Sequence, residues 1–141
     1  MKKIMIILLF GTACVVCNAQ VTVPKTPSAA SLKDFVKPPA IGDLGKTSTG
    51  IVNELMSKLS LPATKKSPLT DATSGFLKKK EGILGLANSN PAEYLSKFNP
   101  MQSDLFAKLK DIMGSSSFTK FLGLKPSGSN TTGNILSNLF F

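Results

Sequence analysis

The chain of 141 residues contains no histidine, and all of its 17 basic residues are lysine, because it has no arginine either. Both cysteines, Cys14 and Cys17, lie near the start. Each absence removes a class of chemistry. Without histidine there is no imidazole to act as a general base near neutral pH, and the commonest zinc, copper and haem ligand is gone. Without arginine there is no bidentate fork for phosphates or guanine edges, which argues against a dedicated nucleic-acid binder. The eight carboxylates are scattered along the chain. Asp104 and Asp111 share one helical face but stand two turns apart, about 10 Å at the helical rise, too far to hold one metal ion. Lys108 between them is expected to make that face an ion-paired surface. No cofactor is expected.

The first residues carry an export signal. Lys2 and Lys3 are followed by an apolar run from Ile4 to Val16, and Cys17-Asn18-Ala19 places small residues at −3 and −1 of a cut between Ala19 and Gln20. That is the pattern signal peptidases accept. The run is shorter than the roughly 20 residues a spanning helix needs. Cleavage removes both cysteines, so the mature chain has no internal disulfide and relies on a hydrophobic core. It also takes two lysines from the net charge of +9. Lipid attachment at Cys14 is the competing reading. Gly11 three residues before Cys14, where a lipid-attachment site carries Leu or a close relative, argues against it. The expected destination is the periplasm or the medium.

Residues 20–47 read as a flexible leader, since Pro24, Pro27, Pro38 and Pro39 interrupt any long element. Ser31 to Lys37 has room for a helical turn or two. Residues 48–125 read as a helical domain. Ile51, Val52, Leu55, Met56 and Leu59 share one face of a helix from Thr49, which Pro62 ends. A second helix is predicted from Thr70, with Phe76, Leu77, Ile83 and Leu84 apolar and Lys78-Lys79-Lys80-Glu81 solvated. Asn90-Pro91-Ala92-Glu93 and Asn99-Pro100-Met101-Gln102 each combine an N-cap, a proline without an N–H to satisfy, and a residue that reaches back to the cap. They predict separate helices over Pro91–Phe98 and Pro100–Met113, with Leu105 and Leu109 in the core. A short helix is predicted around Ser116–Leu122. Ile83-Leu84-Gly85-Leu86 and Phe121-Leu122-Gly123-Leu124 match in pattern and read as two helix stops with glycine just past the end. Residues 126–134 read as a Ser/Gly/Asn linker, and 135–141 as an apolar tip that must dock somewhere. The expected fold is all-α: a loose bundle of about four to six short helices over residues 48–141, after the extended leader.

Ser117-Phe118-Thr119-Lys120 resembles the S-x-x-K nucleophile motif of penicillin-binding proteins and serine β-lactamases, and Lys46-Thr47-Ser48 resembles their K-T-G. The order is reversed, S-D-N is missing, and the chain is too short for that fold, so the spacing reads as chance in a lysine-rich sequence. The apolar tip resembles the closing strand of outer-membrane β-barrels, but no alternating strands precede it. Asn130-Thr131-Thr132 is a sequon that matters only in a glycosylating host.

The expected function is that of a small non-catalytic exported interaction or structural protein. The alternative is a membrane-surface or lipid-associated helical protein. Lys78, Lys79 and Lys80, with Leu139, Phe140 and Phe141, are the candidate contacts to an anionic membrane surface or a protein partner.

Overall fold

The computed structural model describes residues 35–127, 131 and 133–141. The predicted signal cleavage at Ala19–Gln20, Cys14, most of the leader and Asn130 of the sequon lie outside the described residues. The described residues form helices α1 (Leu44–Leu59), α2 (Lys66–Glu81), α3 (Leu86–Ser89), α4 (Pro91–Met113), α5 (Ser115–Leu122) and α6 (Ser137–Phe140), with a 3-10 turn at Ala63–Lys65. No strand occurs among them, so the fold is the expected all-α bundle. α2 packs between α1 and α4, and α5 folds back onto α4 and α1.

α1 starts several residues before the predicted Thr49. Asp43 is the N-cap, and its side chain accepts from the Lys46 amide at 2.8 Å. The first turns are rich in Gly, Ser and Thr, which lowers their helix propensity. Packing overrides that: Ser48, Ile51 and Val52 are buried. The helix stops where Pro62 predicts. Ser60 takes a left-handed conformation at φ 50°, and the Leu61 amide reaches back to the Met56 carbonyl at 3.1 Å, satisfying one of the orphan acceptors of the last turn.

α2 also begins early, at Lys66, because Pro68 is accommodated in its first turn, where no N–H is needed. It closes at Glu81, so Ile83 and Leu84 lie beyond it and are half-buried.

The two capping signatures on either side of Phe98 have different fates. Asn90 caps α4: its side chain accepts from the Glu93 amide at 3.2 Å and donates to Glu93 Oε2 at 3.2 Å. Asn99-Pro100 starts nothing, and α4 runs unbroken for 23 residues with Pro100 inside it. Pro100 cannot bond the Ser96 carbonyl one turn back, but Ser96, Asn99 and Pro100 are all exposed on the water side of the helix. A single stripe of Tyr94, Phe98, Leu105, Leu109 and Met113 is buried on both sides of the proline. Breaking the helix would divide that stripe.

Of the two glycine stops, Gly123 does follow the last residue of α5, whereas Gly85 lies four residues past α2 and directly before α3. Gly85 and Gly123 are right-handed, and the chain leaves α2 and α5 through i→i+3 turns such as Leu84 to Glu81 and Leu124 to Phe121. The glycine that turns the chain is Gly114, at φ 84° between α4 and α5.

Residues 135–141 fold into a hook that ends in α6. Leu136, Leu139 and Phe140 are buried. A Cβ at Gly50 would stand 2.5 Å from Ile135 Cδ1, so the bare glycine lets the hook lie against α1. The segment expected as a linker contributes buried Pro126 and Thr131.

Leu109 is fully buried and Leu105 nearly so, as the periodicity predicts. Leu109→Ala should lower stability by about 2–5 kcal/mol. Urea unfolding followed by circular dichroism checks this. A variant that unfolds with the parent would mean that α4 does not face a core.

Candidate functional site

The lysine run on α2 divides. Lys78 and Lys79 are exposed, but Lys80 is fully buried. Lys80 therefore leaves the expected contact surface. Its Nζ donates to the Asn138 backbone carbonyl at 2.9 Å and lies 5.6 Å from the centroid of the Phe98 ring. Burial lowers its pKa from 10.5 to about 7. Among the described residues the ion pairs are Glu54–Lys58 at 3.6 Å and Glu93–Lys97 at 3.0 Å, and neither involves Lys80. Gln102 on α4 works in the same way, donating through Nε2 to the Leu139 carbonyl at 2.8 Å. These carbonyls belong to a helix C-terminus and have no partner within the helix. Two long side chains from two helices thus hold the hook by its backbone.

The hook residues expected at a membrane or partner are mostly inside the protein instead. Leu139 and Phe140 are interior, and Phe141 is half-buried. Phe140 stacks on Phe121 at 5.1 Å between centroids and meets Phe106 edge-on at 5.7 Å.

A second aromatic group lies on the same side of α4. Tyr94 stacks on Phe98 at 5.3 Å, Phe35 meets Tyr94 edge-on at 6.0 Å, and Phe76 meets Phe98 at 5.9 Å. Between this group and the end of the hook is a half-open cleft of about 240 Å³, walled by Phe35, Tyr94, Phe98, Gln102, Lys125 and Phe141 among others. Lys125 is exposed at its rim, with Nζ 5.4 Å from the centroid of the Phe141 ring. Tyr94 is almost fully buried, and its hydroxyl has no hydrogen-bond partner among the described residues. Burial raises its pKa, so the hydroxyl keeps its proton and remains a donor. Among the described residues, no carboxylate side chain lines the cleft. The spacing of Tyr94, Phe98 and Gln102 on one helix face was readable from periodicity. The approach of Phe35 and Lys125 from distant segments had no sequence signal.

The other residues singled out by sequence are not assembled into a centre. Asp71, Asp104, Lys108 and Asp111 border a shallow groove between α2 and α4. Lys108 makes no ion pair with either aspartate among the described residues, contrary to expectation. No metal-ligand cluster occurs among the described residues. Ser117 and Lys120 lie on α5 with Lys120 in solvent, whereas Ser48 is buried in α1.

No family model, no curated protein and no solved structure matches this chain.

Lys80 sets a pH dependence. Its folded pKa lies below its unfolded value, so between about 7 and 10.5 the unfolded state holds the extra proton. Stability should therefore rise with pH across that window, by about 1.4 kcal/mol per unit from this group, and level off below and above it. Lys80→Met should flatten the slope. Urea midpoints from pH 6 to 10 measure it. Equal slopes in parent and variant would contradict the buried amine.

Proposed function

We propose that this chain is a small exported interaction or structural protein without catalytic activity. The observation that carries the reading is the fate of Lys80, Leu139 and Phe140, which lie in the protein's own interior. A peripheral membrane protein needs basic and apolar groups side by side at its surface. Here the apolar hook is tied into the core by Lys80 and Gln102, and Lys78 and Lys79 are left as solvated charges. No described helix is long and apolar enough to cross a membrane. The lack of histidine, and of cysteine beyond Cys17, supports binding over catalysis. The lysines keep the chain soluble, and the helix faces and the cleft are what it offers a partner.

Two measurements test the reading. Intact mass of material exported by the native host should correspond to a chain starting at Gln20; a start at acylated Cys14 would replace the soluble protein with a tethered one. The exported chain should remain in the supernatant when anionic vesicles are sedimented at physiological salt. Any binding at low salt should vanish as screening rises. Tight binding that survives physiological salt would establish the membrane-associated alternative.

A further inference from the structure

We propose that residues 135–141 act as a latch: the hook opens from the bundle as a unit while α1, α2 and α4 stay packed, and a proton on Lys80 favours the open form. This goes beyond the reading above, which holds whether or not the hook opens separately.

Two side chains tie the hook down, Lys80 from α2 and Gln102 from α4, each donating to one of its backbone carbonyls. The hook is not part of the frame that it closes, because α2 packs directly on α1 and on α4. Opening strips Leu136, Leu139 and Phe140 from the core without breaking those contacts. That is the arrangement of a low-stability unit within a more stable fold.

The proton acts through what surrounds the amine. With the hook closed, Lys80 Nζ has the Asn138 carbonyl and the Phe98 ring beside it and no counter-ion among the described residues. The hook has no ionisable side chain. On α1 the ionisable groups are Asp43, Lys46 and the Glu54–Lys58 pair, and near Phe98 on α4 they are Tyr94 and the Glu93–Lys97 pair. Beside Lys80 on α2 are Lys78, Lys79 and Glu81. All of these reach solvent except Tyr94, which burial keeps protonated. An ammonium at Lys80 is therefore dehydrated and unpaired in the closed form and hydrated in the open one. The open form binds the proton more tightly, so by linkage the proton favours opening. The bond from Gln102 does not titrate and holds the hook in both protonation states. A partner that takes up Leu136, Leu139 and Phe140 draws on the open form, and its apparent affinity falls as pH rises from 7.

Amide exchange of the full exported chain tests the latch, with each rate divided by that of an open chain at the same pH. The resulting opening constants of the Leu139 and Phe141 amides should exceed those of Val52 and Leu55 in α1. Between pH 7 and 9 the hook constants should fall about 50-fold, and between pH 7 and 5 they should rise by only about twofold. Lys80→Met should abolish this dependence. Hook constants above those of α1 that follow this profile support the latch. Hook constants equal to those of α1 would show that the hook opens only with the whole fold, and constants that do not change with pH, or a dependence that survives in Lys80→Met, would remove Lys80 from the device. Either result overturns the proposal. If the variant does not fold, the parent chain still decides through the comparison of hook with α1 and the pH profile.

Discussion

The hydrogen bond from Lys80 Nζ to the Asn138 carbonyl joins two parts of the chain 58 residues apart, and much of the architecture rests on it. It fixes the hook across the bundle. With the hook in place, Leu136, Leu139 and Phe140 complete the core, and Phe140 and Phe141 form one wall of the cleft. Burying three such side chains stabilises by about 1.5–3 kcal/mol each. The opposing cost is that of holding an amine in an apolar setting with its pKa at about 7, at about 1.4 kcal/mol per pKa unit. The two effects are of similar size. The hook is therefore the part of the fold that depends on pH between about 7 and 10.5, while α1 and α2 keep an ordinary apolar contact that does not depend on this bond.

The position of Lys80 was encoded in the sequence, but a stronger local pattern hid it. Three consecutive lysines followed by glutamate look like a solvated face. Helical spacing nevertheless places residue 80 with Thr73, Phe76 and Leu77, and that is the buried side of α2. Periodicity should have outranked composition there. It did so along α4, where Leu105 and Leu109 fall in the core as their spacing requires.

Local signals failed wherever tertiary packing decided the outcome. Asn99-Pro100 has the chemistry of a helix start, yet it lies on the solvent side of a stripe that stays buried across it. Gly85 and Gly123 were available as left-handed caps, but tight turns carry the chain onward without them. Glycine and hydroxyl residues follow Asp43, and a helix forms over them because it is capped by Asp43 and buries Ser48, Ile51 and Val52, with Ile135 lying close to Gly50. The cleft was legible only in part: Tyr94 and Phe98 follow from helix geometry, while Phe35 and Lys125 arrive from segments whose paths no local rule predicts.

A buried hook also explains why an apolar C-terminal sequence does not by itself indicate a membrane or partner contact. The question is whether the hook is held in solution. Amide hydrogen exchange answers it most directly. The Leu139 amide donates to the Leu136 carbonyl at 2.9 Å and the Phe141 amide to the Ser137 carbonyl at 3.0 Å. If Lys80 and Gln102 hold this segment in the core, both amides should exchange at neutral pH orders of magnitude more slowly than an unstructured peptide. Exchange of Leu139 and Phe141 at the rate of an open chain, while α1 remains protected, would contradict the account.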